Sequence, residues 1–359
     1  MTIDGRGTYH GMGLMYTATP EVKYDRLIPR DKSSLQEHPS SLPILPFRKL
    51  GKCGENLIYE HIKEIVAEDE TRHLDILSKV LYPLRVRPVW SSFMQIVANG
   101  QHQEKSSFHF LPMIDMDPTK MSCVYSTLSF VNTQCMKYNI QPIVTFNQPL
   151  WMKAKLIISQ EDDLSNMILI LGAFHTSMSF LGSIGHFMKS SGLSTLLELV
   201  FAGNTVTHML SGKAYARAVR GHFLVDGALN AVLVKKTAEE DHQQVISNAL
   251  ETFDNVFPKD THAPTVHDVD IQALDELFQK AKCEVSVTPT GKLWLQYMKT
   301  IDILRSTLTA QRTSNFMLYL KSLKEMLPYF ASSGHNSYTK SVHLFLQDMQ
   351  QLEGRNPHV

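Results

Sequence analysis

The chain has 359 residues and a formal net charge of zero. A hydrophobic fraction of 43% and a charged fraction of 19% predict a folded protein and exclude a disordered one. The balanced charge also excludes a global attraction to nucleic acid or to an anionic membrane, so any such binding depends on a local patch.

Cysteine usage and the N-terminal residues bear on the cellular compartment. No two of the four cysteines form a C-x-x-C pair, which argues against a thiolate zinc site and a disulfide-rich secreted scaffold. No basic segment followed by a long apolar run is present at the N-terminus, so we expect no signal peptide and an intracellular location, in the nucleus or cytoplasm. The uncharged stretch from Asn166 to Met188 could span a bilayer by length. Its histidines and glycines favour a buried strand and helix instead, so no membrane partner is expected.

The first hundred residues predict irregular and helical structure. Glycine and threonine in residues 5–17 favour a turn followed by a short strand. Residues 29–47 are rich in proline and serine and indicate a loop. Residues 53–83 carry apolar side chains at a spacing of three to four and predict helix.

Strand and helix patterns alternate between residues 105 and 190. The predicted order is a strand at 106–116, a helix at 119–139, a strand at 141–146, a helix at 149–159 and a strand at 166–174. This β-α-β-α-β order predicts a mostly parallel, buried sheet. The first 190 residues therefore predict an α/β core with an irregular and helical N-terminal part.

Beyond residue 190 the pattern is helical. A helix at 194–203 is predicted to be capped by Ser194 and ended by Gly203. Residues 236–270 are polar and acidic and predict an insertion or a hinge. Three helices at 292–308, 315–330 and 336–352 each carry an apolar face, which predicts a bundle. We therefore expect an all-helical region over residues 191–359.

The end of the strand at 141–146 is the first candidate for chemistry. Parallel α/β sheets place their sites at the carboxyl ends of strands, and Asn147 lies at such an end. His175 follows the next strand in the sequence Gly-Ala-Phe-His and is a second candidate catalytic residue. The alternative for Asn147 is a helix cap before Pro149, and for His175 a hydrogen-bonded structural role.

A basic stripe is the second candidate. Lys213, Arg217 and Arg220 are spaced for one face of a helix, where they would contact successive phosphates of a nucleic acid. The alternative is a solvated face, or ion pairing with the acidic 236–270 region.

A polar turn before the last helix is the third candidate. His335, Tyr338 and Lys340 lie there and would line a cleft, although a simple turn explains them as well. Four acids on predicted helices are further candidate metal ligands, although none is distinguished by its spacing: Glu198, Asp226, Asp302 and Asp348. No phosphate-binding loop, dinucleotide fingerprint or nucleophile elbow is present.

Several stretches together resemble a repetitive family of metazoan proteins inferred to be encoded by mobile elements. They include GRGTYHGMGL, VTFNQPLWMKA, LGAFHTSMSFLGSIG, AYARAVRGHFL and SSGHNSYTKSVHLFLQDM, and the resemblance covers nearly the whole chain. In that family a strand ends in T-x-D-Q-P-L, followed by a helix and then G-G-x-H. This order of elements is similar to the order found around the second catalytic acid of Mutator-like and related DDE transposases. The resemblance implies an RNase H-like core.

The resemblance assigns Asn147 to the acid position and His175 to the histidine position. Asparagine replaces the acid here, and Gly172-Ala173 replaces the glycine pair. Family members also carry an acidic strand before their G-x-G-T-x-H motif, which here would lie upstream of Met1. An incomplete core is therefore expected, with Mg²⁺ or Mn²⁺ bound only if the site still functions.

The leading prediction from these observations is a truncated or degenerate transposase-like or integrase-like protein, with weak or no metal-dependent phosphoryl transfer on DNA. The first alternative is a DNA-binding module that performs no chemistry. The second is a helical protein that associates with itself or with another protein through the apolar faces of residues 291–352.

Overall fold

A computed structural model gives the fold. It describes residues 2–3, 7–8, 12–18, 43–47, 59–67, 90, 94, 107–238, 242–256 and 269–355. The strands of this part are β1 (Thr2–Ile3), β2 (Gly7–Thr8), β3 (Met12–Ala18), β4 (Ser107–Ile114), β5 (Ile143–Phe146) and β6 (Ile168–Leu171).

Most of the described residues are helical. The helices in the first two thirds of the chain are α1 (Met121–Tyr138), α2 (Gln148–Ile158), α3 (Ala173–Phe187), α4 (Leu193–Glu198), α5 (Gly203–Leu210) and α6 (Tyr215–Ala238). Those that follow are α7 (Gln243–Val256), α8 (Val269–Val285), α9 (Pro289–Thr313), α10 (Phe316–Ser332), α11 (Asn336–Gln350) and α12 (Leu352–Arg355). From residue 193 onward the described elements are all helices, as predicted.

The chain divides into two compact units. The first comprises Met1–Ile62, His102–His175 and His343–Val359, and the second comprises Lys63–Gln101 and Thr176–Val342. One boundary between the units falls after residue 175, within α3.

Two pairs of strands carry the sheet structure of the first unit from β3 onward. β3 pairs antiparallel with β4, and β5 pairs parallel with β6 from Ile143 opposite Ile168 to Phe146 opposite Leu171. The elements from β4 to β6 follow the predicted order. Parallel pairing, however, joins only β5 and β6 in the described residues, so the predicted parallel sheet is confirmed for that pair alone.

The core of the first unit forms around Trp151 of α2. Its side chain is fully buried, its indole N–H donates to Leu169 O at 3.5 Å, and its ring meets Phe345 edge-on at 6.4 Å. Lys155 of the same helix pairs with Asp348 of α11. α2 is thereby held against the parallel strands, which fixes the position of its N-terminus beside β5.

Residues 59–67 correct the helix predicted over 53–83, because they adopt no helix or strand. Ile62 and Ile65 are buried, as a helical stripe would require. The backbone nevertheless bonds to side chains: Lys324 Nζ donates to Lys63 O at 2.9 Å, and Lys321 Nζ donates to Ala67 O at 2.8 Å. These bonds satisfy polar groups that a helix would pair internally. The rest of the predicted helix lies outside the described residues.

A second correction concerns the helix after residue 190. Gly192, with φ of 89°, is the N-cap of α4, so Ser194 lies inside the helix rather than before it. Gly203 begins α5 instead of ending α4. α4 therefore ends at Glu198, earlier than the helix that the sequence predicts.

α9 lies at the centre of the second unit. Nearly all of its residues from Thr300 to Ala310 are buried, as expected of a helix packed on several sides. It contacts α6, α8 and α10. Part of the predicted polar insertion is α7, whose Ala249 is fully buried in a cluster with Trp90, Met94, Ile271 and Leu274.

Candidate functional site

The carboxyl ends of β5 and β6 meet at one edge, as predicted. Gly172 N donates to Phe146 O at 2.8 Å, one residue beyond the end of β6. A Cβ on Gly172 would lie 3.0 Å from Phe146 O and 3.7 Å from Asn147 Cα. His175 is exposed in the first turn of α3, with its ring 5.4 Å from that of Phe174. The structure therefore brings Asn147 close to the glycine that precedes α3.

Asn147 acts as a helix cap. Its Oδ1 accepts a hydrogen bond from Leu150 N at 3.3 Å, and its backbone is extended at φ −66° and ψ 164°. Pro149 lies in the first turn, where a missing N–H has no cost. Within the described ranges, no group of three or more histidine, cysteine or acidic side chains could hold a metal ion. What Asn147 and His175 supply at this edge is a neutral amide and an exposed imidazole.

The predicted basic stripe lies at the start of α6. Arg217 and Arg220 are on the helix, and Lys213 stands two residues before it; all three are exposed. None forms an ion pair with another residue that the structure describes, so the predicted alternative of ion pairing finds no support there. Three cations thus cluster at a helix N-terminus, where the helix dipole also favours anions.

Glycines hold the turn before α6 against α3. Gly212 has φ of 77°, and a Cβ there would lie 2.0 Å from Met178 O. A Cβ on Gly185 would lie 2.0 Å from Leu210 O. Both distances are far below any real contact, so only glycine permits this approach. The backbone that leads into Lys213 is therefore fixed directly on α3.

His335 binds to the same helix from the turn before α11. Ser333 Oγ lies 2.8 Å from His335 Nδ1 and 2.8 Å from Ser183 Oγ, and Ser183 Oγ lies 3.1 Å from His335 Nδ1. Burial, together with the nearby His186, lowers the pKa of His335. The imidazole is thus a neutral hydrogen-bonding group at neutral pH, held by two hydroxyls.

Gly182 of α3 joins the two turns. A Cβ on Gly182 would lie 3.4 Å from His335 Nε2 and 3.4 Å from Ser211 O, so these two atoms are within about 7 Å of each other. The turns that precede α6 and α11 therefore meet over one turn of α3. We define the α6 basic site as Lys213, Arg217 and Arg220.

Tyr338 and Lys340 lie on α11, directly after the turn that carries His335. The Tyr338 ring packs on Phe330 at 5.7 Å, and burial raises the pKa of its hydroxyl. Lys340 is exposed on α11. His335 O accepts hydrogen bonds from Tyr338 N at 2.9 Å and Thr339 N at 3.0 Å, so this segment also acts as the turn that starts α11.

A buried polar layer lies between α6 and α9, and the sequence does not predict it. Arg305 Nη2 donates to Asp226 Oδ2 at 3.1 Å, and His222 Nδ1 lies 2.9 Å from Tyr297 Oη. Asn230 Nδ2 donates to Asp226 O at 2.8 Å. The sequence feature that could have predicted this layer is the spacing of four residues between His222, Asp226 and Asn230. This spacing places three polar side chains on one helical face.

Comparison with known proteins places the chain in a family. Residues 89–359 match a family described as a domain of unknown function, DUF8702. The chain belongs to this family. No curated protein and no solved structure matches it.

The matched region of DUF8702 contains every candidate residue above, from Asn147 to Lys340. It also contains the stretch from Asn166 to Met188, which folds as β6 and α3. Among the described helices of this DUF8702 member, none is long and apolar enough to cross a membrane.

Proposed function

We propose that this protein binds the phosphate backbone of DNA through the α6 basic site and performs no chemistry on it. The observation that carries the proposal is the group of three exposed cations at the start of α6, none of them paired with a described acid. Unpaired cations at a helix N-terminus favour anionic oxygens, and the helical spacing of Arg217 and Arg220 suits successive phosphates.

The fixed backbone before α6 supports the same function. Gly212 rests on Met178 O, and His335 rests on Ser183, so the turns beside the cations have little freedom. A preformed site loses less conformational entropy when it binds a ligand. Sequence-independent contact with phosphates is what such a site offers, because no base-reading group is required.

Salt dependence of DNA binding tests the proposal. Fluorescence anisotropy of a labelled DNA duplex of mixed sequence gives the affinity over a series of salt concentrations. Neutralising three phosphates gives a slope of roughly −3 in log affinity against log salt, at about −0.9 per phosphate. The variant Lys213→Gln/Arg217→Gln/Arg220→Gln is expected to remove most of that slope.

A matched control removes the same charge elsewhere. The variant Lys137→Gln/Lys292→Gln/Lys299→Gln changes three exposed lysines that lie outside the α6 basic site. It is expected to keep the salt slope. Equal loss of slope in both variants would show that net charge, rather than this site, governs binding, and an undetectable affinity in the unmodified protein would refute the function.

A second candidate is a degenerate nuclease of a mobile element, with an RNase H-like ancestry. The observation that favours it is the meeting of Asn147 and Gly172 at the carboxyl edge of the parallel strands. In this proposal Asn147 occupies a position that once held an acid for Mg²⁺ or Mn²⁺. The variant Asn147→Asp tests it by metal titration, as argued below.

A further inference from the structure

The outer face of α6 is basic at both ends and apolar in its middle. Apart from Ala216 in its first turn, its exposed residues form a single stripe, which we name the α6 outer stripe: Arg217, Arg220, Leu224, Ala228, Ala231, Val232 and Lys235. Successive members are three or four residues apart, apart from Val232 beside Ala231, so they share one side of the helix.

The apolar middle of the stripe is more exposed than a packed helix requires. Leu224 is 52% exposed and Val232 is 66% exposed. Ala228 and Ala231 lie between them, and small side chains let another helix approach closely. The opposite face carries the buried His222, Asp226 and Asn230, so the helix cannot rotate to hide the stripe without exposing that polar layer.

The charges on the stripe have one sign. The only acidic residue of α6 is Asp226, which is 1% exposed on the opposite face. Arg217 and Lys235 mark the two ends, about five turns or roughly 27 Å apart at 1.5 Å per residue. A complementary surface therefore needs acidic groups at two ends and apolar side chains between them.

A second copy of the chain does not meet this requirement. An antiparallel pair of α6 helices would set Arg217 against Lys235, and a parallel pair would set Arg217 against Arg217. Like charges placed together across an interface oppose association. The occupant is therefore not the α6 outer stripe of a second copy.

We infer that the α6 outer stripe docks an amphipathic helix of another protein that carries acidic residues at both ends of an apolar face. The mode is helix against helix, with Leu224 and Val232 as apolar anchors and Arg217, Arg220 and Lys235 as the charged rim. This interaction goes beyond DNA contact, since its apolar centre has no role in binding phosphates.

Synthetic peptides test the inference on the full chain by fluorescence anisotropy. The probe is a labelled helical peptide of about five turns, with leucine and alanine at helical spacing and glutamate in its first and last turns. Two comparison peptides replace glutamate by lysine or scramble the order at constant composition. The acidic peptide is expected to bind at least about tenfold more tightly than either, as anchor and rim contacts allow. Equal binding of the scrambled peptide, or none of the acidic one, overturns the inference.

Variants of the chain separate this interaction from DNA binding. Leu224→Ser/Val232→Ser is expected to weaken the acidic peptide about tenfold while DNA affinity stays unchanged. Lys235→Glu is expected to weaken it as well, again with DNA affinity intact. The matched control Val269→Ser/Val287→Ser alters two valines that are each 78% exposed outside the stripe, and it should retain peptide binding. Peptide binding that survives in Leu224→Ser/Val232→Ser refutes the docking site, whatever the DNA result.

Anionic vesicles supply the competing outcome. Vesicles of phosphatidylcholine with phosphatidylserine are expected to bind the chain no better than vesicles of phosphatidylcholine alone. Binding to the anionic vesicles that disappears in Leu224→Ser/Val232→Ser would assign the stripe to a lipid surface and overturn the protein-partner inference.

Discussion

Arg305 and Asp226 form an ion pair inside the second unit, with Nη2 3.1 Å from Oδ2 and side chains only 3% and 1% exposed. The Arg305 guanidinium also lies over the Phe223 ring, 4.1 Å from its centroid. A buried ion pair thus joins α6 and α9, through residues about eighty positions apart in the chain. Such a pair is costly to break, because either partner alone would be a buried, uncompensated charge.

Removing one partner of this pair should destabilise the protein strongly. Asp226→Ala is expected to lower the free energy of unfolding by about 3–5 kcal/mol, because the Arg305 charge stays buried without its carboxylate. Urea denaturation followed by circular dichroism measures the loss. Glu284→Ala is the control, since Lys236 and Glu284 pair at 2.7 Å with side chains that are 41% and 35% exposed, and it should have little effect. Similar losses in the two variants would contradict the assigned role of burial.

The double replacement Asp226→Leu/Arg305→Met should recover most of that stability. It removes both charges and keeps side-chain volume, and apolar replacement of a buried pair is often neutral or stabilising. A double variant as unstable as Asp226→Ala would mean that the loss comes from packing rather than from the unpaired charge.

The buried polar layer between α6 and α9 predicts two opposing pH dependences of stability. Burial lowers the pKa of His222 from 6.5 to about 4, so its contribution to stability is complete above pH 6.5 and is lost as the pH falls through 4. Burial, opposed by Arg305 and assisted by Asp302, raises the pKa of Asp226 from 3.8 to about 6. Its contribution is therefore present below pH 3.8 and is lost as the pH rises through 6.

Single variants should separate the two slopes. Relative to the unmodified protein, the change in stability between pH 4 and 6.5 should become more positive in Asp226→Asn, because the opposing carboxyl is gone, and more negative in His222→Gln. His335, whose pKa burial also lowers, contributes equally to all three proteins. Each change is bounded by roughly 3 kcal/mol, at about 1.4 kcal/mol per unit of pKa. Chemical denaturation at a series of pH values measures both. Shifts of the same sign in the two variants, each compared with the unmodified protein, would refute this assignment.

Local signals made part of the fold predictable. β5, α2 and β6 were located from sequence because an asparagine cap, a proline in the first turn and short apolar runs act within a few residues. The short strand expected within residues 5–17 is present as β3, but its antiparallel pairing with β4 was not predicted, because it joins segments about ninety residues apart. The helix predicted over residues 59–67 was wrong. Their backbone carbonyls accept hydrogen bonds from Lys321 and Lys324 of α10, more than 250 residues away, and no local sequence pattern indicates such bonds.

The candidate site was predictable to a similar degree. Helical spacing predicts a shared face for Arg217 and Arg220, which lie exposed on α6, whereas Lys213 lies in the turn before the helix. The contact of His335 with Ser183 was not predictable, since it joins residues about 150 positions apart. Asp226 was considered only as a metal ligand, because sequence alone does not distinguish a buried acid paired with arginine from a solvated one.

Asn147 offers a test that separates its role as a cap from that of a lost acid. Asn147→Ala is expected to lower the free energy of unfolding by about 1 kcal/mol, because Leu150 N loses its acceptor. Asn147→Asp should keep the cap, since aspartate is an equally good N-cap residue. Thermal unfolding of the three proteins measures these differences, and an unchanged stability in Asn147→Ala would contradict the cap.

Metal titration of Asn147→Asp then addresses the ancestral acid. If the position belonged to a metal site, calorimetric titration with Mn²⁺ should detect binding in Asn147→Asp that the unmodified protein lacks. Asn147→Ser provides a capping control without a carboxylate. Equal heats in all three proteins would remove the argument for a degenerate nuclease and leave DNA contact as the single proposed function.

Two helical glycines should respond to alanine in opposite directions. In Gly185→Ala the new Cβ would lie 2.0 Å from Leu210 O, so α5 must shift away from α3 and stability should fall by at least about 2 kcal/mol. In Gly227→Ala, inside α6, no atom lies within 4 Å of the new Cβ, and stability should rise by up to about 1 kcal/mol through helix propensity. Urea denaturation compares the two variants.

Because Leu210 leads into the turn before Lys213, Gly185→Ala should also weaken DNA binding, whereas Gly227→Ala should not. Destabilisation by both substitutions would contradict the close approach of α3 and α5 as the reason for Gly185.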